Sequence, residues 1–323
     1  MNAFARSLRA IATVFALSMV CAATAGAQQW PSRPITLVAA FPPNTTTNYG
    51  ARAIAQELST VLGEPVVVET RAGGGGVVAS VAVAKAPSDG HTLLMTTIGP
   101  AVLRPLIDQK ISYDPVADFT PIALVGDAPN VIAASAKSGF ASIQDVVAYA
   151  KKNPGKVTVG HPGVGTMGHL VALLFAAEAE IDVNFISYQG APAILSDLAG
   201  GHIDIGAIAF GVGADTAKIL AVTTEERLDF LPDVPTMKES HYPNVFGTTW
   251  SAIFAPAGLP DEIVAKLNTS INDFVGRDEI RKQFAKVGYR ILGGTPQRLR
   301  ERMTDDRAKW SKVIAAAKIT GEQ

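Results

Sequence analysis

The chain has 323 residues and a net charge of −1, and hydrophobic residues make up 48% of it. Neither charge sign forms a long cluster, so the electrostatic footprint of a nucleic-acid-binding protein is missing. The single cysteine, Cys21, excludes an internal disulfide, and the five histidines are too scattered to predict a metal site.

The first 27 residues have the order of basic, apolar and small residues that is typical of a secretory signal peptide. Arg6 and Arg9 are basic, no acidic residue is present, an apolar run covers 10–23, and small residues occupy 25–27. The apolar run is shorter than the roughly 20 residues that cross a bilayer. We therefore expect cleavage after Ala27 and export to the periplasm.

After the leader, short β-branched runs alternate with amphipathic helical stretches, which predicts an α/β fold with largely parallel sheets. The first unit is a buried strand at 35–40, a polar turn at 41–48 and a helix over 49–62, with Gly63 as its C-cap. Further strands are predicted at 65–69, 91–97, 119–125, 131–135, 157–160, 183–188, 203–209, 219–223 and 250–255. Further helices are predicted at 77–84, 143–152, 166–179, 191–199, 260–275, 278–287 and 296–317.

The mature chain is long enough for two domains. No new sheet follows the last three helices, so we expect them to pack back on the first lobe. The chain would then cross between lobes twice, near 125–130 and 247–253. Lobe 1 is predicted to comprise 28–127 plus 250–323, and lobe 2 to comprise 128–249.

The turn between the first strand and helix is the first candidate ligand site. Ligands in open α/β sheets bind beyond the carboxyl ends of strands, and a helix N-terminus suits an anion without any lysine or arginine. The alternative is an ordinary capped turn with Thr47 or Asn48 as the N-cap. The candidate ligand contacts of this turn are Phe41, Asn44, Thr45, Thr46, Thr47 and Asn48.

Two later junctions of strand and helix repeat this arrangement. The first offers His161, Gly163, Gly165 and Thr166, whereas His169 in the following helix has the position of a packed or capping histidine. Glycines let a backbone approach a ligand closely, and the absence of Gly-Lys-Ser/Thr argues against a phosphate loop. The second offers Tyr188, Gly190 and Ala191, although Tyr188 could instead pack at a sheet edge. The candidate set is completed by Thr97, Gly99 and Phe210, which lie at or after the ends of other strands.

Enzymatic interpretations find little support. The chain has no G-x-S-x-G elbow and no H-E-x-x-H, so no catalytic residue is predicted. The glycine run over 73–76 lacks the context of a dinucleotide-binding loop and is interpreted as a tight turn. We expect no cofactor and no metal.

Short stretches in a fixed order across the chain from Trp30 onward resemble the receptors of tripartite tricarboxylate transporters, the Bug or TctC-like periplasmic binding proteins. They are Trp30-Pro31-Ser32-Arg33-Pro34-Ile35, Pro87-Ser88-Asp89-Gly90-His91-Thr92-Leu93-Leu94, Tyr113-Asp114-Pro115, Asp118-Phe119-Thr120-Pro121-Ile122, Gly165-Thr166 with His169-Leu170, Asp197-Leu198 with Gly200-Gly201, Leu231-Pro232-Asp233-Val234-Pro235-Thr236 and Trp250 with Ala255-Pro256-Ala257-Gly258.

The resemblance implies a two-lobed type II periplasmic binding fold with the ligand cleft between lobes. It also implies a non-enzymatic receptor, expected to be a monomer, that delivers a small carboxylate to the membrane permease subunits of its own transporter. A ligand-sensing receptor of a signalling system with the same fold is the alternative, and a neighbouring gene for either partner would decide between them.

Two departures from the family pattern concern the ligand. Asn44, Thr45 and Asn48 stand where the family's first loop usually has Gly-Gly-x-x-Asp, and His161 stands where a serine is usual. Losing the acidic side chain removes a partner for amino groups. The sequence therefore predicts a dicarboxylate without an ammonium, which could be aromatic and terephthalate-like if Phe41 and His161 supply flat walls.

Overall fold

The computed structural model describes residues 30–319, except Gln109 and Val212, so the predicted leader and its cleavage point lie outside the described residues. In this part of the chain no helix has the length and apolar character needed to cross a membrane.

The described strands are β1 (Ile35–Ala39), β2 (Val66–Thr70), β3 (Thr92–Thr97), β4 (Phe119–Ala134), β5 (Thr158–His161), β6 (Asn184–Ser187), β7 (Ile205–Ala209), β8 (Lys218–Val222), β9 (Thr248–Pro256) and β10 (Arg290–Ile291). The helices are α1 (Thr46–Leu62), α2 (Val77–Ala84), α3 (Arg104–Ile107), α4 (Ile143–Lys152), α5 (Met167–Ala179), α6 (Ala191–Gly200), α7 (Asp261–Val275), α8 (Asp278–Ala285) and α9 (Pro296–Ala316). Short helical turns occupy Gly74–Gly76, Gly99–Leu103 and Ala214–Thr216.

Strand β4 corrects the prediction of two strands at 119–125 and 131–135. It is one strand of 16 residues, and the turn-forming residues between the predicted strands are held extended. Strand β9 pairs with β4 as far as Pro129, and β7 pairs with it from Asn130 onward. These partners supply hydrogen bonds to a segment whose local sequence favours a turn.

The sheet order is β2-β1-β3-β9-β4-β7-β5-β6, with β8 and β10 also paired to β4. We call β1, β2, β3, β9, β10 and β4 up to Pro129 the first half-sheet, and β5 to β8 with β4 from Asn130 the second. Strands β1 to β3 are parallel, and so are β5 to β7, but every pairing of β4 or β9 is antiparallel. The expectation of largely parallel sheets therefore holds at the two ends of the sheet and fails in its centre.

The last three helices pack on the first half-sheet, as predicted. Helix α7 contacts α1 and β4, and α9 contacts β4 and the turn that follows β3. Apolar side chains of α1 and α7, such as Ile54 and Leu267, share one core cluster with β1. The chain therefore returns to its first half-sheet after building the second.

Most predicted helices have the predicted positions, but the first begins earlier than expected. Helix α1 starts at Thr46, and Thr45 is its N-cap because the Thr45 side chain accepts a hydrogen bond from the Asn48 N–H. The expectation of Thr47 or Asn48 as the cap is wrong. Gly63 does end the helix, with a left-handed φ of 74° that favours glycine.

Trp250 in β9 ties the C-terminal helix to the sheet. Its side chain is fully buried, and its Nε1 donates to Asp306 Oδ2 of α9 at 2.7 Å. Arg302 Nε donates to the same oxygen at 2.7 Å, so the buried carboxylate accepts hydrogen bonds from an indole and from a guanidinium. This contact joins residues that are 56 positions apart.

The substitution Trp250→Phe should lower the free energy of unfolding by about 2–4 kcal/mol, because it removes buried ring atoms and also a hydrogen bond to a charged group. Urea unfolding of the purified protein measures this loss.

Trp310→Phe is a matched control. Trp310 is also buried, but its Nε1 has no hydrogen-bond partner among the described residues. We expect it to cost at least about 1 kcal/mol less than Trp250→Phe, and equal losses would contradict the role given to the Asp306 contact.

Candidate ligand site

A pocket of about 700 Å³, including its open mouth, lies where the two half-sheets face each other. The pocket is lined by Phe41, Asn44, Thr45, Thr46, Thr47, Thr97, Ala128, Asn130, Pro162, Thr166, Met167, Gly168, Gly190, Ala191, Leu195, Ala209, Gly211, Ala214, Thr249 and Tyr289.

Three helices begin at this pocket. Helix α1 of 17 residues starts after its N-cap Thr45, α5 of 13 residues after Thr166, and α6 of 10 residues after Gly190. The N-cap threonines satisfy the third N–H of their helices and leave the first two without an intrahelical acceptor. The positive ends of three helix dipoles therefore meet in one space.

Among the described lining residues there is no lysine, arginine, histidine, aspartate or glutamate. Helix ends and hydroxyl groups supply hydrogen-bond donors, but none of these described side chains supplies a formal charge. Because none of them is a carboxylate, an ammonium group would find no counter-charge among them, which is costly for a buried group. The electrostatics of the lining favour an anion.

The first loop is held in place by its own polar side chains. The Thr45 hydroxyl donates to the Pro42 carbonyl at 2.8 Å, and Asn48 Nδ2 donates to the Phe41 carbonyl at 3.1 Å and to Thr70 Oγ1 at 2.9 Å. Asn48 is fully buried and is not among the lining residues. The structure thus places Asn48 behind the loop, where its amide fixes the strand-to-helix turn.

Thr46 and Thr47 of the same loop also line the pocket. Both residues are buried, and neither hydroxyl has a hydrogen-bond partner among the described residues. Thr46 Oγ1 lies against Gly211 of the second half-sheet, since a Cβ at position 211 would be only 1.8 Å away. These two hydroxyls are available to a ligand.

The second loop is closed by the Thr166 cap. Thr166 Oγ1 donates to the Gly163 carbonyl at 2.7 Å and accepts from the His169 N–H at 3.3 Å. His169 is fully buried, and its Nδ1 accepts from the Gly165 N–H at 3.3 Å, which agrees with a packed histidine that supports the loop.

His161 lies at the end of β5 but does not line the pocket. Its ring is 2% exposed and stands 4.3 Å from the His169 ring, and its Nδ1 has no hydrogen-bond partner in the described part of the chain. Burial lowers the pKa of His161 to about 4, and a backbone hydrogen bond with Gly163 opposes that shift. The imidazole is therefore neutral at neutral pH.

Tyr188 is also directed away from the pocket. Its hydroxyl donates to Asp197 Oδ2 at 2.6 Å, and burial, followed by this hydrogen bond, raises the pKa of Tyr188 to about 12. The following Gly190 does line the pocket. A Cβ there would lie 3.1 Å from Pro42 Cδ, so the absence of a side chain at Gly190 lets Pro42 of the first loop pack closely against it.

The structure therefore divides the predicted contacts into two groups. Those that line the pocket are Phe41, Asn44, Thr45, Thr46, Thr47, Thr97, Thr166, Gly190 and Ala191. Those that lie outside its lining are Asn48, Gly99, His161, Gly163, Gly165, Tyr188 and Phe210.

Three polar lining residues were missed by the sequence reasoning because they do not follow a strand end. Asn130 and Thr249 lie inside β4 and β9, where Asn130 Nδ2 donates to Thr249 Oγ1 at 2.9 Å. Tyr289 comes from the segment after α8, and its hydroxyl is hydrogen-bonded to the Ser251 hydroxyl. Burial raises the pKa of Tyr289, so it stays protonated and able to donate.

The low pKa of His161 has a consequence for stability. Between about pH 6.5 and pH 4 the unfolded chain takes up a proton at this imidazole while the folded chain does not. The free energy of unfolding should therefore fall as the pH is lowered through this range.

Urea unfolding at pH 7, 6, 5 and 4 tests this for the wild type and for His161→Gln. We expect the fall with decreasing pH to be shallower in the variant, and the His161 ring to titrate near pH 4 by NMR. A ring that titrates near pH 6.5 would contradict the burial argument.

Comparison with known proteins places the chain in a group of similar sequences. It is 33% identical to the UPF0065 protein in the tcbD-tcbE intergenic region of Pseudomonas sp. strain P51, over 98% of this chain and 96% of that protein. It is 32% identical to protein BugT of Bordetella pertussis, over 95% and 96% of the two chains.

Solved structures agree with this grouping. An R. palustris protein, Rpa4515, solved with adipate, superimposes with a TM-score of 0.86 at 32% identity and covers 90% of this chain and 99% of that one. MatC of Rhodopseudomonas palustris, solved with malate, gives a TM-score of 0.84 at 28% identity and covers 88% and 100%.

Residues 50–319 of the chain match the sequence pattern of the family described as "Tripartite tricarboxylate transporter family receptor". This span covers most of the described residues and every described strand except β1. Together with the relatives and the matching folds, it shows that the chain belongs to the tripartite tricarboxylate transporter receptor family and has the fold of its solute-binding receptors.

Proposed function

We propose that this receptor captures a small dicarboxylate without an ammonium group, in the periplasm, for delivery to the permease subunits of a tripartite tricarboxylate-type transporter. The observation that carries the proposal is the convergence of three helix N-termini on a pocket whose described lining residues carry no charged side chain. Oriented N–H groups and hydroxyls bind carboxylate oxygens well in a site that water can complete.

Two anionic groups suit the distribution of donors better than one. Helix α1 packs on the first half-sheet and carries the Thr46 and Thr47 hydroxyls, whereas α5 and α6 pack on the second half-sheet. A ligand with a carboxylate at each end would contact both. The relatives solved with adipate and with malate, both dicarboxylates, support this class of ligand.

The middle of the ligand would meet apolar atoms. Phe41, Met167 and Leu195 are among the lining residues. Phe41 offers one flat wall, so an aromatic diacid such as terephthalate is included in the proposal. His161, the second wall expected from the sequence, is not part of the lining.

We also propose that the two half-sheets are the cores of the two lobes, 28–127 with 250–323 and 128–249. Residues on both sides of this division line the pocket, which supports a cleft between lobes. The predicted leader over 1–27 supports the periplasmic location. We further propose that the receptor binds its ligand as a monomer and does not convert it chemically. A permease gene next to the gene of this protein would support the transporter role.

Isothermal titration calorimetry with adipate, malate, terephthalate, aspartate and glutamate tests the ligand class. We expect at least one diacid to bind, and the two amino acids to bind at least about 100-fold more weakly, because their ammonium finds no carboxylate among the described lining residues. Tight binding of aspartate or glutamate with none of the diacids would refute the proposal.

The substitution Thr46→Val tests the hydroxyl donors with nearly the same shape. We expect the Kd of the diacid that binds best to rise by about tenfold, which corresponds to one lost hydrogen bond to a charged group. Thr60→Val is the control, since Thr60 lies on the same helix with an exposed hydroxyl bonded to the Gln56 carbonyl. An equal effect of both changes would remove Thr46 from the site.

A further inference from the structure

Beyond the pocket, the two half-sheets contact each other through backbone at a second place. The glycine run Gly74–Gly76 follows β2, and a Cβ on Gly163 would lie 2.8 Å from the Cα of Gly75. A Cβ on Gly99 would lie 3.1 Å from the Gly165 carbonyl oxygen. Only glycine lets these backbones approach so closely. The run interpreted as a tight turn is therefore also a contact between the half-sheets.

Arg104 spans this contact with its side chain. Its Nη1 donates to the carbonyl of Val164 at 3.1 Å, across 60 positions of the chain. Its Nε and Nη2 donate to Asp108 Oδ2 at 3.1 and 2.5 Å, and the Arg104 side chain is 20% exposed. The Asp108 carboxylate, in the first half of the molecule, thus orients the guanidinium. The Val164 carbonyl, in the second half, accepts its remaining hydrogen bond.

The packing around Arg104 shows why the opposite loop accepts it. Gly165 has a left-handed φ of 79°, and a Cβ there would lie 2.7 Å from Arg104 Cδ. The alkyl part of the arginine therefore rests on the backbone of the loop. Any larger residue at position 165 would displace the side chain.

The loop held by Arg104 leads directly into the ligand site. Val164 precedes the N-cap Thr166 by two residues, and Met167 and Gly168 line the pocket at the start of α5. Arg104 itself is not among the lining residues. It can therefore affect a ligand only through the position of the loop, which carries the N–H groups of α5 toward α1.

We propose that Arg104 is a positioning residue that holds the loop 163–166 against the first half-sheet and so keeps a bound anion between the two sets of helix ends. The effect on the ligand rests on the proposed function, whereas the effect on the two halves does not. Asp108 assists by fixing the guanidinium. The expected signature is faster release of ligand with little change in its rate of binding, since the contact forms only when the halves meet.

The experiment compares wild type, Arg104→Gln, Arg104→Lys and the control Arg277→Gln. The Arg277 guanidinium forms an ion pair of 2.5 Å with Glu57 of α1, and Arg277 is the residue before α8. Release of radiolabelled adipate should be about tenfold faster in Arg104→Gln, which is the fold-change for one charge-assisted hydrogen bond. Arg104→Lys should recover part of the loss, and Arg277→Gln should release adipate like the wild type.

A second measurement does not depend on the ligand. Nitroxide labels at Val61→Cys of α1 and Tyr149→Cys of α4, both exposed positions, report the distance between the halves by pulsed electron paramagnetic resonance. Arg104→Gln should broaden this distance distribution toward longer values, with and without adipate, and Arg277→Gln should not.

The outcomes separate the two proposals. If the wild type binds none of the diacids, the proposed function fails, and the distance distributions without ligand decide the role of Arg104. Distributions and release rates of Arg104→Gln that match those of Arg277→Gln would overturn the positioning role, even if adipate binds tightly.

Discussion

The structure around the pocket depends on backbone N–H groups that no residue of their own helices can satisfy. The first N–H groups of α1, α5 and α6 meet at one place, and a buried donor without an acceptor costs about 1–3 kcal/mol. Water can satisfy them while the pocket is open, and an anion can replace that water. An arginine in the lining would compete with them for the anion, and the described lining residues include none. The N-cap threonines and the glycine contacts then determine how closely the three helix ends approach.

The predicted contacts that line the pocket share one property, which is their position just after a strand or just before a helix. The carboxyl ends of parallel strands lie on one edge, so Phe41 to Thr47, Thr166 and Gly190 could be assigned to the site from local pattern alone. Asn130, Thr249 and Tyr289 could not. Asn130 and Thr249 meet because β4 and β9 pair over a long sequence separation. Tyr289 joins them because the chain returns after α8. Local sequence periodicity predicts neither of these long-range contacts.

The predicted contacts outside the lining differ from these in side-chain direction. Asn48, His161 and Tyr188 belong to the predicted segments, yet each points away from the pocket and supports the loop from behind. Each has a local partner: Asn48 binds a backbone carbonyl, the His161 ring packs beside that of His169, and Tyr188 binds Asp197. The sequence identifies a polar residue at a strand-to-helix junction. The contacts within that junction decide whether its side chain faces the pocket or lies behind the loop. His161 therefore belongs to the support of the loop, and its neighbours form the pocket surface.

Strand β4 belongs to both half-sheets without a break, changing partners between Pro129 and Asn130. The residues that would link two separable domains are thus themselves part of the hydrogen-bonded sheet. Neither half can be excised with a complete set of strands, because either cut removes hydrogen-bonding partners from the other. Unfolding of one half would expose the edge of the other, so we expect the protein to lose its structure in a single cooperative step rather than lobe by lobe.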